Sequence, residues 1–190
     1  MIFFYKVEIL ASSIGQNQGT KLILQIMKLF PSCIRIQIDS SACLANMAAV
    51  EQNRISMLDD GCIQQLLENM SRFMSQPDVQ TELFATLANL CCHDASAKCI
   101  IQNGGCGLIL KSMKMHPNEI ELHVQGFHAM ACLGTVGREL LDQQDFTEII
   151  IKSLEMHEAN VELVSAALHA VGALANSGKS FKVKSRNYTS

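Results

Sequence analysis

The sequence predicts an all-α fold, a solenoid of stacked helical repeats, and three observations lead there. First, an apolar, alanine-rich stretch recurs four times: Ser40–Ala48 (SSACLANMA), Leu83–Cys91 (LFATLANLC), Gly126–Gly134 (GFHAMACLG) and Ala167–Ala175 (ALHAVGALA). Successive copies lie 43, 43 and 41 residues apart, and a period of ~40–47 residues marks a stacked helical array. Second, a different stretch keeps the same register: Leu22–Pro31 (LILQIMKLFP), Leu108–Pro117 (LILKSMKMHP) and Ile149–Glu158 (IIIKSLEMHE), offset by 86 and then 41 residues. Third, 48% of residues are apolar and 17% charged, which supplies a core and leaves too little charge for a disordered chain.

Residues 1–18 read as a partial leading helix, closed by the run from Gly15 to Gly19. Leu22, Ile23, Ile26, Met27 and Phe30 then fall on one face of a helix. Pro31 and Pro117 end this element in their units, because proline cannot continue a helix. Ser32 and Asn118 are candidate caps for the alanine-rich helix that follows. A short third element closes each unit, at Gln52–Asp60, Ala95–Gly104 and Gly137–Asp145. Gly61 and the pair Gly104-Gly105 supply positive φ for the turn after it. The second unit reads as irregular, with Cys62–Ser75 longer than its counterparts and the interval from Pro77 to Asn89 shorter. The array spans residues 19–176, divided as 19–60, 61–104, 105–145 and 146–176, and a basic, disordered tail follows over residues 177–190.

A net charge of −3 gives no global attraction for nucleic acid or anionic membrane. No stretch approaches the ~18–20 continuous apolar residues of a membrane span. The eight cysteines fall mostly inside apolar helical patterns, as buried thiols do, and point to a reducing cytoplasmic or nuclear setting. Cys91, Cys92, His93 and Cys99 cluster, but a zinc site needs a second ligand pair and none follows; no metal or cofactor is expected. A catalytic thiol would need a depressed pKa and an orienting partner, which stacked helices do not announce. Gly178-Lys179-Ser180 misses the P-loop spacing and follows a helix, and Gly104-Gly105-Cys106-Gly107 lacks a preceding strand. Neither is expected to bind a nucleotide.

With these residues in view, the chain resembles the armadillo repeat family over about residues 19–176. The matching features are Asn103-Gly104-Gly105, Asp60-Gly61, Leu87-Ala88-Asn89-Leu90 and Leu44-Ala45-Asn46-Met47. The resemblance implies a right-handed superhelix of about three and a half three-helix repeats. It also implies a concave groove lined by the third helices, where an asparagine column holds an extended peptide. Asn46 and Asn89 occupy that column, with Cys132 and Ala173 in the later repeats. The tryptophan that often stands one turn earlier is replaced by Ala42, Ala85, His128 and His169, which argues against an import-receptor type of cargo site.

The candidate partner-binding residues are therefore Asn46, Asn89, His128, His169, Asp39, Glu82 and Gln125. The last three form a column two turns before the asparagines and would make a mildly acidic groove; ordinary solvation of an exposed face explains them equally well. His128 and His169 read either as a pH-sensitive contact or as polar groups on a solvated face. The function expected is a non-enzymatic scaffold that binds a protein or peptide segment. The alternative is a regulatory segment of a larger multidomain protein, a kinase or ubiquitin-ligase adaptor, or a truncated product of one. The run Lys114–Pro117 followed by Val124–Gly126 has the flavour of such proteins, and Ile2, Phe3, Phe4 and Tyr5 suggest a missing neighbour. In the tail, Lys179, Lys182, Lys184 and Arg186 offer contact with acidic surfaces or simple solubility.

Overall fold

The computed structural model describes residues 10–136 and 144–176, and all of its regular structure there is helical. The elements are α1 (residues 10–16), α2 (Gly19–Leu29), α3 (Ile34–Ala48), α4 (Glu51–Asp59), α5 (Cys62–Arg72) and α6 (Pro77–Leu90). They continue as α7 (Asp94–Gln102), α8 (Gly105–Met115), α9 (Ile120–Val136), α10 (Gln144–Met156) and α11 (Val161–Asn176). The basic tail, the first nine residues and most of the short element at 137–145 lie outside the described residues.

The period is more regular than the sequence suggests. Helices α2, α5 and α8 each have 11 residues and begin at 19, 62 and 105, so the second unit is not irregular. The misreading came from Pro77. It does not end α5; it opens α6 at the first helical position, where its missing N–H costs nothing. Ser32 and Asn118 are not caps either. The N-cap of α3 is Cys33, with no side-chain cap bond, and α9 starts two residues past Asn118. The cap that forms is Asn160, whose Oδ1 accepts from the Leu163 N–H at 2.9 Å.

Third helices pack on third helices: α3 on α6, α6 on α9, α9 on α11. Leu44, Met47, Leu83, Phe84, Leu87, Phe127 and Met130 fill these seams and are fully buried. Second helices close the other side with Met27, Ile63, Leu66, Met70, Ile109 and Met113. One continuous core runs the length of the stack, as a solenoid requires.

A polar relay runs through that core. Position 37 and its equivalents cap the C-terminal carbonyls of the second helix in their own unit. Gln37 Nε2 donates to Met27 O (3.1 Å) and Phe30 O (2.9 Å). Gln80 Nε2 donates to Met70 O (2.8 Å). His123 Nε2 donates to Met113 O (3.1 Å) and His116 O (3.2 Å). The far end of the same side chain faces the next unit: Asn69 Nδ2 donates to Gln37 Oε1 at 2.8 Å, and Ser153 Oγ lies 2.7 Å from His123 Nδ1. Because two carbonyls fix the proton on Nε2, Nδ1 is the acceptor and Ser153 the donor. The middle joint has polar residues at the same two positions, Gln80 and Ser112, both fully buried, but the relay is broken there: Gln80 Oε1 and Ser112 Oγ find no hydrogen-bond partner.

A second ladder ties the loops: Arg72 Nη1 donates to Pro31 O (3.3 Å), His116 Nε2 to Met74 O (2.8 Å) and His157 Nε2 to Pro117 O (3.0 Å).

The turn into each second helix needs a left-handed residue. Gly61 and Gly104 supply it, at φ 74° and 78°. Gly105 does not share this role, against the sequence expectation. It starts α8, and a Cβ there would lie 2.5 Å from Ile100 Cγ2 and 3.0 Å from Ile100 O. At the equivalent turn of the first unit stands Gln18, at φ 60°. A side chain there is strained against the following carbonyl. We expect Gln18→Gly to raise the unfolding free energy by about 0.5–1 kcal/mol, read from urea midpoints.

Burial, with lesser contributions from His157 and His116, holds the His123 pKa below its usual value despite the carbonyl acceptors that raise it. The native state therefore binds fewer protons than the unfolded chain. Stability is complete above the unfolded histidine pKa of about 6.5 and falls as pH drops through it. His123→Gln keeps the carbonyl-capping amide, as Gln37 and Gln80 do, and should flatten this acid dependence. Denaturation midpoints of both proteins at pH 7.5 and 5.5 test it.

Candidate partner-binding face

The outer edge of the third helices forms one polar wall. Its first row is Arg35, Asp78, Glu121 and Glu162, all exposed. One turn on come Asp39 and Glu82, then Gln125 on α9. Arg35 Nε donates to Asp39 Oδ2 at 2.8 Å, an exposed pair one turn apart on α3 that contributes little. Gln125 Nε2 donates to Glu121 Oε1 at 2.7 Å. Glu82 is half-buried, and burial first, then the charge of Glu121 on the adjacent helix, pushes its carboxyl pKa up. Two carboxylates thus face each other across the α6–α9 seam, and carboxylates outnumber cations along the wall.

The asparagines differ from one another. Asn46 is exposed near the end of α3. Asn89 is half-buried, and its Nδ2 donates to Ala45 O of α3 at 2.9 Å. Thr86 makes a parallel bond to Ser41 O, also 2.9 Å. Asn89 therefore spends a donor inside the stack. Sequence reasoning assigned it to the groove alone and missed Thr86, whose position carries no polar repeat. His128 is half-buried and His169 exposed, at the same register of the packed helices α9 and α11. Asp78, Glu121 and Glu162 were also missed; their recurrence at the start of each third helix was the available signal.

The cysteines do not converge on an ion. Cys91 is buried, His93 Nδ1 lies 3.0 Å from Ser96 Oγ, and Cys99 Sγ receives Asn103 Nδ2 at 3.6 Å. Among the described residues no group of three or more His, Cys, Asp or Glu is placed to hold a metal. Nor are any two cysteines there joined by a disulfide. Burial pushes Cys62 up to about 12, Cys106 up to about 11 and, with neighbouring Cys92, Cys132 up to about 11. These sulfurs are held as thiols, the opposite of what a nucleophile needs.

A family model described as the GAC ARM domain matches residues 7–179. The chain belongs to the GAC ARM domain family. The armadillo resemblance of the sequence and the all-helical stack are thereby accounted for together. No curated protein matches this GAC ARM domain. A crystal structure of an engineered protein, solved by the Northeast Structural Genomics Consortium, is similar to it at 19% identity and a TM-score of 0.75, covering 88% of this chain and 67% of that one. At that identity the likeness is one of fold. No helix among the described residues is long and apolar enough to cross a membrane.

Burial sorts the thiols of this GAC ARM domain by reactivity. Exposed Cys33 and Cys92 should be alkylated by iodoacetamide in the native protein at neutral pH, whereas buried Cys62, Cys91 and Cys106 should react only after unfolding. Peptide mass mapping before and after denaturant reads the difference.

Proposed function

We propose that this GAC ARM domain is a non-enzymatic scaffold that binds an extended, basic segment of a protein partner along the wall of third helices. The observation that carries this reading is the acidic pair Glu82 and Glu121 on adjacent helices, with Glu82 pushed toward its protonated form. A lysine or arginine placed between them would relieve that repulsion, which gives the partner's charge. Asp39, Asp78 and Glu162 extend the acidic row to either side. Gln125, Asn46 and Asn89 would supply backbone hydrogen bonds to the partner, and His128 and His169 continue the wall over the last two third helices. The protonated thiols support a binding role over a catalytic one, and helical solenoids present extended surfaces suited to it.

The test is fluorescence anisotropy with a panel of extended peptides graded in net charge. Binding should favour Lys- and Arg-rich peptides and weaken with salt. The double variant Glu82→Gln, Glu121→Gln should lose about tenfold in affinity, on the order of 1.4 kcal/mol. Equal binding of acidic and basic peptides, or an unchanged affinity in the double variant, overturns the reading.

A further inference from the structure

The internal joints of the stack bury, fully or in part, positions that the first and last described units leave exposed. At the α10–α11 end, Ile151 and Leu168 are 48% and 59% exposed, while their counterparts one unit earlier, Leu110 and Phe127, are 3% and 0%. Leu67 and Phe84, another unit back, are buried as well. The following unit is what covers these places. At the α2–α3 end, Leu22 is 58% exposed, while at the same position Gln65 and Ile149 are 5% and 4% exposed and Leu108 is half-buried. Phe30 is exposed where its counterpart Phe73 is buried. Here the preceding unit is the cover.

The polar relay supplies an independent observation. Its capping position holds Gln37, Gln80 and His123 in the first three units, and Val164 in α11. Its receiving position holds Asn69, Ser112 and Ser153 in the last three units, and Ile26 in α2. The pair that is polar at each internal joint is thus apolar at both ends of the array. If the two ends met, Val164 would face Ile26, with no donor or acceptor stranded between them. The middle joint, by contrast, leaves Gln80 Oε1 and Ser112 Oγ without partners.

We propose that the α10–α11 end of one copy docks on the α2–α3 end of a second copy, head to tail, continuing the helical stack across the junction. The second copy is the occupant because the two faces are the two halves of an interface this chain already makes within itself. Such a junction uses different patches on the two copies, so it propagates and does not close at two.

Sedimentation velocity of the full 190-residue chain over a concentration series is the test. We expect a ladder of species that lengthens with concentration. Leu168→Asp and Leu22→Asp alter opposite ends at exposed positions, and circular dichroism melts check that both variants stay folded. Each alone should be monomeric where the parent associates. Mixed in equal amounts they should form a dimer and nothing larger, since one intact end remains on each. Val164→Gln should weaken association about tenfold by setting an amide against Ile26. A parent that stays monomeric at every concentration overturns the proposal. So does either Asp variant assembling as the parent does, or a mixture that yields no dimer.

Discussion

The C-terminal carbonyls of a buried helix must be satisfied from within, and this stack depends on how that is done. In the first three units a carbonyl near the end of the second helix is turned into the stack, although the last side chains of the helix, such as Leu29 and Met115, face solvent. One side chain from the following helix reaches back to those carbonyls, as Gln37, Gln80 and His123 do. A helix end left without partners would cost more than the local packing returns. The same side chain is also the contact point for the next unit, through Asn69 and Ser153. At the first and last joints one residue therefore bears on both the angle between two helices and the registration of neighbouring units, while at the middle joint Gln80 makes only the capping bond. The apolar seams are permissive about identity, accepting Leu, Phe, Met and Ala at equivalent depth, while the relay fixes position.

That division holds the third helices in one row from α3 to α11. Leu44, Leu87 and Met130 bury the inner side of each helix, and the relay prevents sliding along the seam. The outer side is then free to carry charge at a fixed pitch. Carboxylates recur on that pitch from Asp39 to Glu162 because the helices beneath them are locked in register. Burial first and the charge of Glu121 second raise the Glu82 carboxyl pKa, which is the ground for the proposal that this face takes a cationic partner.

Much of this was legible in the sequence, since the alanine-rich third helices recur at a nearly constant spacing and LILxxMK appears in both α2 and α8. The helix ends were not. Pro31 and Pro77 look alike as letters, yet one follows a helix and the other opens one, and only the backbone tells them apart. The relay escaped notice because its members are Gln, Gln and His, three side chains whose common trait is a reach of similar length with a donor at the tip. Asn89 was assigned to a groove by analogy, and its bond to Ala45 O depends on how closely two helices approach. The column of candidate residues was visible as a pattern, whereas the repulsion between Glu82 and Glu121 needed three dimensions.

The placement of the one ionisable member of the relay gives the molecule a direction. His123 holds the last joint, while the two before it are built from amides and a hydroxyl that no ordinary pH alters. In a chain of nearest-neighbour contacts, weakening one link releases what lies beyond it and leaves the rest standing. Acid would thus weaken the last joint before the earlier two, so that loosening of the stack would begin at α10 and α11.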